Sequence, residues 1–390
     1  MQKKIQRNNF ILLFTINFLI TFCFAVNDSF FPIFYKPLSS NALIFGLAFT
    51  LYSVSKILLS PAVGKLLDKY RADYVLLLSL FIYTAVSCLL CFVHNPEAIL
   101  VIRIMQGTAC AMFRPVIYYL LNIGLEGKRG RVMGMFDLSF YSALAIAPIT
   151  GGFLLSSFDF VSIFLLMTVC CSAAVILFVC FFNIGSLASG KNEECTEPNL
   201  PMGLSVYLVM FYIFCRGWGI ATVAVFLPLI LNRADISPAK TGIVLSAATA
   251  STALLLPFTG RLADLFQKRS LIVVGGAAVS LLIPAFNAVS DYFHFLLLAV
   301  FSGIFSAISQ PASSALVIEQ VPKSQLGYAM GKFNVSLAMG FSCAPLLGQI
   351  VSPSGDPASA LMLSAALGAL SALFILLYPI KTEKKVLSFE

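Results

Sequence analysis

Polar and reactive residues are scarce in this sequence. Only 11% of its 390 residues are charged, and it holds two histidines and one tryptophan. So small a charged fraction cannot keep a soluble chain of this length wetted, which excludes an ordinary globular domain. Neither His94 nor His294 stands in a nucleophile–base arrangement, and no phosphate-binding glycine loop occurs, so an enzyme is not expected. No cofactor or metal is expected either. Cys88 and Cys91 have the spacing of a metal or redox pair, but no second pair follows. All the cysteines except Cys195 fall inside apolar runs, where they behave as small hydrophobes. Long polar stretches are missing too, apart from residues 185–201.

What the chain has is apolar length: 59% of it is hydrophobic, with a mean hydropathy of +0.94. A bilayer core of about 30 Å needs roughly 20 apolar residues per helical crossing. Apolar runs place twelve spans near residues 10–34, 43–67, 74–93, 98–121, 130–156, 161–182, 202–231, 242–262, 271–289, 292–318, 327–351 and 358–379. The start, Lys3, Lys4 and Arg7 before an apolar run from Phe10, is like a signal peptide. Because no small-residue cleavage site follows, it is read as the first helix. The expected organisation is an N-terminal six-helix bundle (1–184), a cytoplasmic linker (185–201) and a C-terminal six-helix bundle (202–390).

The net charge of +8 is explained without nucleic acid, which is not expected as a partner. Basic residues gather on alternate loops, among them Lys3, Lys4, Arg7, Lys65, Lys69, Lys268, Arg269 and Lys323, against Lys36, Arg233 and Lys240 on the other side. Lys and Arg are retained on the cytoplasmic side, so both termini are expected there.

The second half repeats the first. By subtraction of residue numbers, an offset of 196 places Pro32 on Pro228, Gly46 on Gly242, Pro61 on Pro257, Gly64 on Gly260, Asp68 on Asp264, Gly107 on Gly303 and Pro115 on Pro311. After one inserted residue the offset becomes 197, and Pro148 and Gly151 fall on Pro345 and Gly348. Greasy segments align by chance through Leu and Ala, whereas this register aligns the backbone-special residues. Duplicated six-helix halves are an architecture of transporters, with the substrate site at their interface near the midplane.

The loop after the second span reads Gly64-Lys-Leu-Leu-Asp68-Lys-Tyr-Arg71, and its copy begins at Gly260 and carries Asp264. This resembles the signature of the major facilitator superfamily, over essentially the whole chain, although Arg71 stands where a second glycine is usual. Arg103-Ile-Met-Gln106-Gly107 is similar to the buried-arginine motif of its proton-coupled members. Ala143-Leu-Ala-Ile-Ala147-Pro148-Ile-Thr-Gly151-Gly152 is similar to the antiporter motif of its drug:proton antiporter branch. The resemblance implies an all-α membrane protein of twelve transmembrane helices in two pseudo-symmetric bundles. It further implies that Asp68 latches onto the start of the eleventh helix near Gly327, and Asp264 onto the start of the fifth near Gly130.

Six ionisable residues fall at bilayer depth: Asp28, Lys56, Arg103, Arg114, Asp137 and Arg216. Each costs a few kcal/mol there, so each is expected to face a cavity and to have a partner or a task. Helical spacing groups Asn17, Thr21, Phe24 and Asp28 into one stripe, Tyr52, Lys56 and Ser60 into another, and Arg103, Gly107, Cys110 and Arg114 into a third. Ser302, Ser306, Ser309 and Ser313 form a fourth, where packing is an equal explanation. Depth pairs Asp28 with Arg103 and Arg114 with Asp137. Lys56 and Arg216 are left near the midplane, either to receive an anionic or zwitterionic group or to be satisfied by deprotonation or backbone carbonyls.

The expected function is secondary-active, proton-coupled export of a small molecule (a drug, an anionic metabolite or a siderophore) by alternating access, the alternative being proton-coupled import of a sugar or organic acid. Asp28, Arg103 and Asp137 are the expected proton-coupling residues. Lys56, Arg216, Asn17, Tyr52, Arg114 and Asn334 are the expected substrate contacts. The expected partners are the substrate, protons and lipid, with the protein acting as a monomer in the cytoplasmic membrane.

Overall fold

The structure, a computed structural model, describes residues 2–39, 41–122, 129–182, 203–321, 326–352 and 356–378. Among these there are twelve α-helices and no strand. They are α1 (Gln2–Tyr35), α2 (Ala42–Lys69), α3 (Ala72–Leu90), α4 (Pro96–Asn122), α5 (Arg129–Ser157), α6 (Phe160–Phe181), α7 (Leu204–Arg233), α8 (Pro238–Leu265), α9 (Lys268–Ala285), α10 (Tyr292–Gln320), α11 (Leu326–Val351) and α12 (Ala358–Leu377). Each contains a window long and apolar enough to cross a bilayer. Helices are what such segments must form, since hydrocarbon offers no partner for a free backbone N–H or C=O. The side chains of Asn41 and Asp291 cap α2 and α10 by accepting from Leu43 N and Phe293 N.

Each helix falls on an expected apolar run, with shifted ends: α1 begins at Gln2 and α8 at Pro238, ahead of the expected residues 10 and 242, and α3 and α9 stop at Leu90 and Ala285, ahead of the expected residues 93 and 289. At both ends the chain tightens into i→i+3 bonds: Cys91 N to Cys88 O and Phe92 N to Leu89 O, then Phe286 N to Ile283 O and Asn287 N to Pro284 O. Apolarity continues beyond these points while the regular α-helix gives way to these tighter turns.

Helix packing repeats between the halves. In the first, α1 packs on α5 and α6, α2 and α3 pack on α4, and α3 packs on α6; in the second, α7 packs on α11 and α12, α8 and α9 on α10, and α9 on α12. The glycines show this at atomic detail. A methyl group on Gly107 would strike the Tyr52 carbonyl and Ser55; one on Gly303 would strike the Ala248 carbonyl and Ser251, the same two positions shifted by 196. The chain is thus a multi-pass, all-α membrane protein of two pseudo-symmetric six-helix bundles. The expected linker, residues 185–201, lies outside the described residues, and so do the boundaries drawn from it.

The halves meet through α2 with α11, α5 with α8 and α1 with α7. Gly46 lies against Pro345 and Leu346, Gly242 against Pro148 and Ile149, and Gly152 against Pro238. Thr50 Oγ1 donates to the Ser342 carbonyl at 2.7 Å. All these contacts lie toward the end of the molecule where α1 and α7 finish and α2 and α8 begin, opposite the face at which α1 begins and α12 ends. Phe31, Tyr35 and Phe45 of the first half and Val225, Phe226 and Ala360 of the second close that end in one buried apolar cluster. Toward the terminal face, a methyl group on Gly260 or Gly331 would meet nothing within 4 Å. Among the described residues, these two glycines thus make no close approach of the kind seen at the opposite face.

Candidate functional site: charges along the seam

Asp28 on α1 and Arg103 on α4 form the expected ion pair, with Nη1 to Oδ1 at 2.9 Å. The arginine side chain is 4% exposed and the carboxylate 41%. The same Nη1 donates to Gln106 Oε1 at 2.7 Å, and the guanidinium lies 3.5 Å from the centre of the Phe31 ring. Such a desolvated cation–π contact contributes about 2 kcal/mol. Arg103 Nε is buried without a hydrogen-bond partner, and Asn27 Nδ2 donates to the Asp28 carboxylate at 3.2 Å. Arg103 is thus enclosed, whereas the Asp28 carboxylate is partly exposed.

About two and three turns further along α4, Cys110 and Arg114 face α2 and α5. Tyr52 hydroxyl donates to Cys110 Sγ at 3.5 Å, and the Arg114 guanidinium lies 4.0 Å from the Phe140 ring centre. Lys56, one turn beyond Tyr52, is half-buried. The side chain of Asp137, Arg114's expected partner, lies outside the described residues.

Across the seam, Arg216 near the middle of α7 donates from Nη2 to Ser306 Oγ at 3.0 Å and to Gln310 Oε1 at 2.9 Å, both on α10. Gln310 Nε2 in turn donates to the Tyr141 hydroxyl on α5 at 3.1 Å. The neutral side chains of Ser306 and Gln310, not backbone carbonyls, hold this guanidinium. Among the described residues, the ion pairs are Arg71–Asp73, Arg103–Asp28, Lys268–Glu319 and His294–Asp291. None of these involves Lys56 or Arg216, two cations near mid-helix in opposite halves with no carboxylate beside them among the described residues.

Other expected residues fall elsewhere. Asn17 is buried and donates to Ser139 Oγ on α5 at 2.6 Å, a contact between helices. Phe24 of the same stripe is buried against the Tyr83 ring, centroids 4.5 Å apart. Ser309 and Ser313 are buried, and Ser309 packs at Gly275 of α9; of that stripe it is Ser306 that meets Arg216. Asn334 is exposed on α11. Gly151 packs on Phe30, and its copy Gly348 packs on Phe226, again one repeat apart. Arg71 has φ −65° and ψ 135°, which any residue adopts, so the turn needs no second glycine. Its guanidinium holds Asp73 at 3.0 Å. The environments of Gly64, Asp68 and Asp264, and the latches expected of both aspartates, lie outside the described residues.

Tyr141 and Gln310 were not singled out from sequence. The available signal was the repeat: at offset 196, Gln310 occupies Arg114's place and Ser306 that of Cys110.

A family model described as Major Facilitator Superfamily matches residues 13–202 and 209–389. An uncharacterized MFS-type transporter of Methanocaldococcus jannaschii is 28% identical over 148 residues, 38% of each chain. The multi-drug resistance efflux pump PmrA of Streptococcus pneumoniae is 25% identical over 160 residues, 40% of this chain and 39% of that one. The matches therefore span about two fifths of these relatives' length. Among solved structures, a D-xylose–proton symporter has a TM-score of 0.77 at 14% identity, covering 97% of this chain and 98% of that one. A bacterial homolog of the human lysosomal transporter Spinster, inward-facing and occupied, has a TM-score of 0.79 at 12% identity, covering 96% of each. At these identities the structures show a shared fold.

Proposed function

Because the chain belongs to the Major Facilitator Superfamily, whose members are membrane transporters and not enzymes, we propose that it is a proton-coupled antiporter exporting a small molecule with an anionic or zwitterionic group. The observation that carries this reading is the pair of mid-helix cations Lys56 and Arg216, one from each half, neither of which has an ion-pair partner among the described residues. A cation in a low-dielectric seam is costly until something neutralises it, and an anion reaching both halves at once would do so. Rocking of the halves about that level then exposes it to each side of the membrane in turn.

Asp28 is the proposed proton carrier. It pairs with an enclosed arginine while its own carboxylate is partly exposed, and protonating it removes the charge that holds α1 to α4 at this level. Export is supported by the proline-centred small-residue segment at Pro148, whose carbonyl meets Gly242, and by the efflux function in PmrA's name. The excess of basic residues on the terminal face supports a cytoplasmic location for both ends in a bacterial inner membrane. The proposed unit is a monomer.

The test is a metabolite comparison of medium and cells with and without the gene. An organic anion should accumulate inside cells that lack it. Depletion of that anion would reverse the direction to import, and an accumulating cation would remove the anionic reading.

A further inference from the structure

Gln310 is held from both sides. Its amide oxygen accepts from Arg216 and its amide nitrogen donates to the Tyr141 hydroxyl, at 2.9 and 3.1 Å. A guanidinium can only donate, so the amide orientation is fixed, oxygen toward α7 and nitrogen toward α5. Arg216 and Gln310 belong to the second half and Tyr141 to the first. Together they bridge the seam near the middle of their helices, apart from the glycine contacts that close one face.

An amide oxygen on a guanidinium occupies the position a carboxylate oxygen takes there, without its charge. A carboxylate adds its own charge to the guanidinium's, forms the stronger bond and can displace the amide. We infer that Gln310 is an internal placeholder for a substrate carboxylate: the anion takes its place on Arg216, the amide lets go of Tyr141, and the halves are unlatched at the substrate site. Ser306, the second acceptor, keeps the guanidinium in position during the exchange. This rests on the reading of Arg216 as an anion site and deepens it. A ligand shifts a conformational equilibrium only as far as it binds the two states differently. A placeholder bonded across the seam supplies that difference, because it must be displaced in the bridged state alone.

The experiment places nitroxide labels at Tyr70→Cys and Phe266→Cys, exposed caps of α2 and α8 on the terminal face of opposite halves. The full chain is used with Cys88, Cys180 and Cys195 replaced by serine, thermal melts confirm that each variant folds, and benzoate is the probe. Without ligand, Tyr141→Phe and Gln310→Met should each lower the population of the bridged conformation about three- to tenfold, one net hydrogen bond's worth. Gln310→Glu supplies its own carboxylate, which accepts from both Arg216 and Tyr141. It should raise that population and abolish the response to benzoate. Benzoate should move the unsubstituted protein in the direction of Tyr141→Phe and move Tyr141→Phe little further. If Tyr141→Phe leaves the distances unchanged while benzoate still shifts the unsubstituted protein, the latch is wrong and the anion site survives. If benzoate neither binds nor shifts the unsubstituted protein while Tyr141→Phe does, displacement by an anion is wrong and only the bridge survives.

Discussion

Gly242 lies so close to the carbonyl oxygen of Pro148 in the other half that no Cβ fits between them. Its copy one repeat earlier, Gly46, also faces backbone of the other half, less tightly: a Cβ there would lie 2.9 Å from Leu346 Cα and 3.1 Å from the Pro345 carbonyl oxygen. The two glycines thus set how closely α8 approaches α5 and α2 approaches α11 when this face is packed. Their partners are backbone atoms at the prolines inside α5 and α11, which cannot swing aside as a side chain would. Gly242→Ala and Gly46→Ala should each disfavour the conformation packed at this face and slow transport at least tenfold while leaving the bundles folded. Label-distance distributions and transport in proteoliposomes check this. Full activity with unchanged distances would show that the halves do not close here during transport.

Lys56→Gln and Arg216→Gln should each remove most transport of an organic anion. Losing hydrogen bonds to a charged group costs about 1.5–3 kcal/mol, a drop of roughly ten- to a hundredfold in affinity. Arg216→Gln also strips Ser306 and Gln310 of their donor. Uptake into inside-out vesicles measures both. Anion transport unchanged in both variants would take the substrate contact away from these residues.

The helices were legible because hydrocarbon permits so few backbone arrangements, and the duplication because its Gly and Pro residues are contact points. Gly46 and Gly242, Pro148 and Pro345, and Gly151 and Gly348 were aligned by the repeat before any coordinates, and the structure places each of them at a helix contact. The Asp28–Arg103 pair was legible because two opposite charges at one depth have few other ways to be neutralised. The polar stripes were less reliable. Spacing gives the direction a side chain leaves its helix but not which helix it meets, so Asn17 and Ser309 lie in helix contacts while Ser306 meets Arg216. Tyr141 and Gln310 carry no charge, and an uncharged residue in a greasy span leaves no desolvation cost for a sequence argument to detect.

Asp28→Asn should uncouple transport from a pH gradient. It removes the titrating carboxylate while leaving an amide that can still accept from Arg103. Counterflow, which needs no net proton movement, should continue, and acid-driven accumulation should stop. Asp137→Asn is the comparison. Coupling lost in Asp137→Asn and retained in Asp28→Asn would move the proton-carrying role to α5.

Lys36, in the turn after α1, links pH to the same closure. Its Nζ lies 5.0 Å from the Phe45 ring centre. Burial, followed by the nearby charge of Arg233 at the end of α7, holds its pKa below the ordinary 10.5. A lysine whose pKa is lowered in one conformation penalises that conformation while charged. The penalty is full below the lowered pKa, falls as pH rises through it, and is gone above 10.5, where the group is neutral in either state. Parting the halves at this face separates Lys36 from Arg233 and restores its contact with water. Raising the pH from about 7 toward about 10 should therefore increase the population packed at this face. Lys36→Met should flatten that dependence and leave the population near its alkaline level throughout. The same label pair followed across this range measures both effects, and a packed population that falls as the pH rises would show that Lys36 favours closure in its charged form.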